Sequence, residues 1–394
     1  MKIILYEIKK SWFKLPILFL LIVLSLINVY KLTSFYKNLG HFGESSGVRK
    51  AYYTFYKIYS GEITNEKIND VIENYNKLAV LASDENNINK YSQDTASGYV
   101  YGDYITYEAY VIPELEYAVT YPNKANEICS NAYENITFYT EHNNYEDAEK
   151  NKYIYKLYKD RKVKNYNLTE WVKIYFEYDF SSLLVIIMII IGLAPSFSTE
   201  NESGMIIQLK SYGKLGKAVN AKTISAIIYI LLLNVFFVFC DLLTINCLCG
   251  IDGLFNPIYS SEFFGNSPFN FSIFTAILIC TLGKYAALLM IGEIVFLISA
   301  ISKNSIISLC ICFIAITLLM ISANKNSIIV NPVNMLLVYK LLEKFDCTII
   351  FGKPILSLYV ALAIYIIVIV ALFFIIKICT IGIGRRNLCA KTRA

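Results

Sequence analysis

Histidine is nearly absent from this chain of 394 residues: there are two, His41 and His142. So small a supply leaves little for a zinc centre or for histidine-based acid–base catalysis. Charged residues are also scarce, at 17% against about 25% in soluble domains. Of the ten cysteines, only Cys129 lies in the long polar segment 31–178. A disulfide framework for that segment is therefore excluded. The pairs Cys247/Cys249 and Cys310/Cys312 have C-x-C spacing in apolar surroundings with no histidine nearby, and read as small buried hydrophobes. A formal charge of +5 is too small to suggest a nucleic-acid partner.

Apolar residues are abundant, at 56%, and they gather in long blocks. Crossing a hydrocarbon core of about 30 Å takes roughly 20 residues of helix. Six blocks approach or exceed that length: residues 15–30, 180–197, 223–248, 271–301, 305–321 and 355–380. The chain reads as an all-α polytopic membrane protein with six transmembrane helices and a mainly α-helical extracytoplasmic domain between the first and second. The lysine-flanked first block resembles a signal peptide, but no small-x-small cleavage site follows Asn28, so it is expected to stay as a span.

Lysine and arginine placement sets the expected orientation. With the N-terminus inside, the segment 1–14, the loop 198–222, the short turn after the fourth span and the tail together hold 14 basic and 3 acidic residues. Segment 31–178 holds 17 basic and 21 acidic residues. Both termini are thus expected in the cytoplasm of a cell-membrane protein, with 31–178 outside. Residues 179–394 form a five-span domain with a cytoplasmic loop at 198–222 and an outer loop at 322–354.

The outer segment carries 23 of the 32 tyrosines. Ile68, Val71, Ile72, Tyr75, Leu78 and Leu81 follow helical spacing, with Thr64 as N-cap. Residues 147–164 read as a second helix, and Thr169-Glu170-Trp171 as the start of one that continues into the second span. The tyrosines either line a surface for an amphipathic ligand or substitute for aliphatics in a small helical core. The outer loop 322–354 is too apolar for a free linker and is expected to fold as short helices at the outer leaflet.

Residues 1–14 form an amphipathic interfacial helix, with Ile4, Ile8 and Trp12 on one stripe and Lys9 and Lys10 reaching towards head groups. The loop from Phe197 to Lys222 begins with an acidic turn, continues as a short apolar helix, breaks at glycine and resumes in a lysine-flanked helix. Inside the spans lie three ionisable residues, Asp241, Lys284 and Glu293, each of which raises a functional question. Asp241 is expected near the outer end of its span, within reach of water. Lys284 and Glu293 are nine residues apart, which places them on nearly opposite helix faces, so they should not pair with each other. Either partners on other spans or a substrate path would account for them.

In layout, the start "YEIKKSWFKLPILFL", the large domain after one span, the stretch "STENESGMIIQLKSYGKLGKAVNAK" and the turn "SAISKNS" resemble the permease subunit of an ATP-binding-cassette (ABC) transporter of the type-2 exporter class. Glu200, Gly204, Leu209 and Lys222 match that family's E-x-x-x-G…L…K pattern. The resemblance implies that 198–222 couples to a separate ATPase, with Glu200, Glu202, Gly204, Leu209, Lys210 and Lys222 as its coupling residues. It also implies that the N-terminal helix is the interfacial elbow. The chain itself would bind no cofactor and no metal, and have no catalytic residues. Gly213–Ala218 lacks phosphate-loop spacing, so ATP and Mg belong on the partner. The implied partners are the nucleotide-binding subunit, a second permease subunit in a homodimer or heterodimer, and membrane lipids. The expected function is export of an amphipathic or hydrophobic substrate, such as an antimicrobial peptide, lipid or drug. Alternatives are a sodium exporter and a membrane-tethered ligand-binding or immunity protein without transport. A membrane-embedded enzyme has no positive support.

Overall fold

The computed structural model describes residues 2–12, 14–38, 46–84, 94–167, 169–323 and 331–391. His41 and Arg393 lie outside them, and the side chains of Lys2, Lys210, Arg385, Arg386 and Lys391 are not described. The protein is 79% helical, and six helices are long and apolar enough to cross a membrane. After α1 (Lys2–Ser11), Pro16 opens α2 (Leu15–Lys37) at a position where a missing N–H costs nothing. This first span runs seven residues beyond the expected end at 30.

The domain between the first two spans comprises α3 (Ser46–Tyr59), α4 (Asn65–Ala82), α5 (Val100–Thr106), α6 (Ile112–Glu141) and α7 (Tyr145–Tyr158). The Thr64 hydroxyl accepts from Lys67 N, so the expected N-cap of α4 is present. On α4, Val71 is buried and Ile68, Tyr75 and Leu78 pack beside it, whereas Ile72 and Leu81 are exposed. The second charged helix ends at Tyr158, short of 164, and Asp160 follows with a positive φ of 62°. A π-turn over Tyr107–Val111 precedes Pro113, which cannot donate to the carbonyl four residues back. The short strands β1 (Gly61–Glu62) and β2 (Asn165–Tyr166) close the domain as an antiparallel pair.

Tyrosine is the core residue of this domain. Tyr59, Tyr107 and Tyr166 are buried with Phe55, Val71 and Leu115, and the Tyr59 and Tyr107 hydroxyls lie 2.8 Å apart. Other tyrosines point their hydroxyls at the end of the third span and at its connection to the fourth. Tyr117 donates to Tyr259 O (2.6 Å), Tyr158 to Asn266 O (2.7 Å) and Tyr53 to Leu248 O (2.9 Å). Each ring supplies apolar area and its tip satisfies a backbone carbonyl, in the connection for Tyr117 and Tyr158 and in the last helical turn for Tyr53.

The second span is built from α8 (Glu170–Glu177), α9 (Phe180–Leu193) and α10 (Pro195–Glu202), joined through Tyr178-Asp179 and Ala194. The chain continues through α11 (Met205–Ser211), the third span α12 (Leu215–Cys249), the fourth α13 (Ile273–Ile301) and the fifth α14 (Ser305–Ala323). Gly192 and Gly292 allow close helix approach: a Cβ at Gly192 would stand 2.8 Å from the Tyr229 ring, and one at Gly292 2.5 Å from Ile230 Cδ1.

The loop before the sixth span corrects the expectation of helices alone. Short helices α15 (Pro332–Met335) and α16 (Lys340–Glu343) lead into an antiparallel hairpin, β3 (Cys347–Ile350) and β4 (Lys353–Leu356). Phe351-Gly352, both at positive φ, form its tight turn. The last helix, α17 (Ser357–Lys391), contains the sixth span.

Candidate functional site

At the end of the bundle that carries the N-terminus, α1 lies against α10 and the beginning of α12. Four charged side chains meet there. Glu200 Oε1 accepts from both Lys10 Nζ and Lys222 Nζ at 2.9 Å, and Lys222 also reaches Glu7 Oε2 at 3.3 Å and Ser196 O at 3.0 Å. Glu7, Glu200 and Lys222 are buried; Lys10 stands at the edge. Burial alone would lower the Lys10 pKa, but the Glu200 carboxylate, with Glu7 behind it, outweighs that and holds it raised. Four alternating charges with ordered partners suit an enclosed setting in which a lone charge would be costly.

Trp12 anchors the same helix. Its ring stacks on Tyr229 at 4.7 Å, and its Nε1 donates to Gly192 O at 3.3 Å. The expected interfacial stripe is therefore turned inward: Trp12 is buried, Ile8 packs on the core and Ile4 is half-buried, while Leu5, Tyr6 and Lys9 are exposed. Glu7, which the sequence presented only as a charge to be counted, is the residue that closes the cluster.

The structure separates the six residues assigned to coupling. Glu200 and Lys222 lie inside, so neither is exposed to a partner chain. Glu202 accepts from Ser305 Oγ at 3.0 Å and Ser305 N at 3.3 Å, capping the fifth span. Leu209 packs on the core, and Gly204 takes a φ of +71° with open space around it, so its conformation, not its size, requires glycine. The side chain of Lys210 is not described. The outward face consists of Met205, Gln208, Tyr212 and Lys214, with Tyr212 76% exposed.

Within the spans, Asp241 is closed off from the water expected to reach it. It is buried at 4% exposure, and its Oδ1 accepts from Asn28 Nδ2 at 2.6 Å. Tyr178 OH donates to Asn28 Oδ1 at 2.9 Å, so α2, the second span and α12 are held by one polar chain. Asn28 is fully buried, yet nothing in its local sequence distinguishes it from a chance polar residue in a span. Substituting Asn28 by leucine should cost about 1–3 kcal/mol, because Asp241 loses the Asn28 amide and Tyr178 OH keeps only the backbone carbonyl of residue 28, at 3.1 Å. A melt in mild detergent reads this directly. An unchanged melting temperature would dismiss the network as a stabiliser.

Lys284 and Glu293 make no ion pair with each other, and among the described residues neither makes one elsewhere. Lys284 stands 6.0 Å from the Tyr175 ring centroid. Glu293 is buried, and its Oε2 has no hydrogen-bond partner among the described residues.

Where the inter-span domain meets the start of the second span and the connection between the third and fourth, a cavity of about 300 Å³ is lined by Tyr110, Glu114, Glu170, Lys173, Glu262 and Phe263, among others. Glu114 Oε1 accepts from Thr169 Oγ1 at 2.9 Å and Thr169 N at 3.3 Å. Burial, and then the Glu170 carboxylate, push the Glu114 pKa up from 4.5 to about 8. The folded protein therefore holds this proton more tightly than the unfolded chain. The associated stability is complete below the ordinary value and is lost as pH rises through about 8. Melting temperature should fall across that window, and Glu114→Gln, which keeps the neutral shape, should flatten the slope. Parallel pH profiles for the two proteins would refute the assignment.

No group of residues suited to a metal ion occurs among the described residues. The chain matches no protein-family model, no curated protein and no solved structure.

Proposed function

We propose that this chain is the membrane-spanning subunit of an ABC exporter, with both termini in the cytoplasm and the inter-span domain outside. The observation that carries this reading is the cluster of Glu7, Lys10, Glu200 and Lys222, which joins α1, the end of the second span and the start of the third. A push on the α10–α11 loop would pass through these buried contacts to two spans and to the N-terminal helix together. The side that receives the push is the exposed row Met205, Gln208, Tyr212 and Lys214, not Glu200 or Lys222. Four lysines in 198–222 and the basic tail support the cytoplasmic placement.

A slot of about 300 Å³ between the second span, the fifth span and α15 supports an amphipathic or hydrophobic substrate. Leu183, Ile186, Met320 and Leu337 make it apolar, and Asp179 lines it alongside them. A substrate with an apolar body and a cationic group matches that lining.

The test is purification of the tagged full-length chain from its native cells in mild detergent, with identification of co-eluting proteins. A stoichiometric nucleotide-binding subunit is expected. It should be lost from Tyr212→Ala/Lys214→Glu protein whose melting temperature is unchanged. Elution without any ATPase, even after crosslinking, overturns the reading. That outcome would favour a membrane-tethered ligand-binding protein, for which the cavity beside Glu114, Glu170 and Glu262 is the supporting feature.

A further inference from the structure

Beside the charge cluster lies a separate cavity of about 110 Å³. Lys10, Lys14 and Lys222 form its charged lining, and Ile17 and Ile191 its apolar lining. Ile17 lies in the first turn of α2 and Ile191 in the last turn of α9, so the cavity sits where the apolar layer of two spans ends. Head groups occupy that depth of a membrane.

The lysines around this cavity do not all have their charge met. Lys222 directs its hydrogens to Glu200, Glu7 and Ser196 O. Lys10 donates to Glu200 alone among the described residues, which leaves the rest of its ammonium hydrogens for a ligand. Lys14 is exposed and makes no ion pair among the described residues. Glu7 and Glu200 thus balance two of the three lysines, and one positive charge remains in surplus. Such a lining, with convergent N–H donors, recognises an oxyanion.

We propose that this cavity binds the phosphate of an anionic membrane phospholipid, its acyl chains running along Ile17 and Ile191. The surplus charge selects a lipid with net negative charge over a zwitterionic one, whose own ammonium would be brought up against Lys14. Because Lys10 belongs to both the cavity and the cluster, a bound lipid would hold α1 against α10. The proposal does not depend on transport, since its readout is lipid retention by this chain alone.

The experiment reconstitutes the full chain in nanodiscs of phosphatidylcholine alone or mixed with phosphatidylglycerol. Retained lipid is then counted by native mass spectrometry and the melting temperature recorded. The wild type should retain phosphatidylglycerol selectively and melt higher in its presence. Lys14→Gln should reduce retention about fivefold, the equivalent of about 1 kcal/mol for one lysine at an anionic surface. Lys9→Gln removes the same charge from the exposed face of α1 and should leave retention unchanged. Equal losses in the two variants, or equal retention of the two lipids by the wild type, overturn the proposal. Inorganic phosphate is added separately to the phosphatidylcholine discs. If it reproduces the full stabilisation in a Lys14-dependent way, the ligand is soluble phosphate and the lipid assignment fails.

Discussion

Lys222→Met is expected to lower the free energy of unfolding by about 3–5 kcal/mol, the usual cost of breaking a buried ion pair from one side. Methionine keeps most of the length of the stem, so the loss isolates the ammonium. Glu7 and Glu200 would then share Lys10 alone, leaving one carboxylate enclosed without a counter-charge. The contact of Lys222 with the Phe197 ring, at 5.5 Å, disappears as well. The double variant Glu7→Gln/Lys222→Met returns the site to one matched pair, and should recover about 1 kcal/mol or more. Melts in mild detergent measure both variants. Strict additivity of the two substitutions would show that the four charges do not act as a unit. Protease cleavage near Lys9 and Lys10 should rise in Lys222→Met, since α1 loses its main polar tie to α12.

Arg161→Ala should have the second largest effect, about 2–4 kcal/mol, concentrated in the docking of the inter-span domain. Arg161 is buried between the Tyr158 and Tyr259 rings, at 4.1 and 4.7 Å. Its guanidinium donates to Leu157 O at 2.9 Å, Ser267 O at 2.7 Å and Tyr121 OH at 3.2 Å. Removing it takes the side-chain donor from Ser267 O, leaves Leu157 O with Asn270 Nδ2 at 3.1 Å, and parts two aromatic surfaces that it fills. Arg161→Lys should rescue little, because a single ammonium cannot serve divergent acceptors and stack on two rings at once. Limited proteolysis should show faster cutting in 250–272 and 159–167, with the spans unaffected. Full rescue by lysine would mean that only the positive charge matters.

Both effects centre on residues that looked ordinary in the sequence. Arg161 sits among lysines in Asp160-Arg161-Lys162-Val163-Lys164, where a solvated basic turn is the natural reading. Glu7 is one acidic residue among lysines in a short amphipathic helix. Glu200 and Lys222 were visible as members of a patterned loop, but the pattern does not tell whether they face a partner or each other. What decides is the packing of α1, which brings Glu7 and Lys10 to residues 215 and 190 positions away. The tyrosines were legible as an excess, with a ligand surface and a small helical core as the two readings, and Tyr59, Tyr107 and Tyr166 take the second. Tyr53, Tyr117 and Tyr158 each tie the domain to a carbonyl more than a hundred residues downstream, at the end of the third span or in its connection to the fourth.

By itself the sequence determined the six spans, their approximate positions and the helical character of the domain between the first two. Those properties are sums over neighbouring residues: apolar length against bilayer thickness, and helical spacing within one segment. Only the tertiary structure decided which span is central. The first and second spans have nearly equal mean hydropathy, 2.2 and 2.4, yet 11% of the first and 72% of the second is buried by the rest of the protein. Lipid and protein interior are alike in apolarity, so composition cannot tell a helix facing one from a helix facing the other. The same holds for the charges. Asn28 with Asp241, and Glu7 and Glu200 with the two lysines, are brought together only by the packing of separate helices.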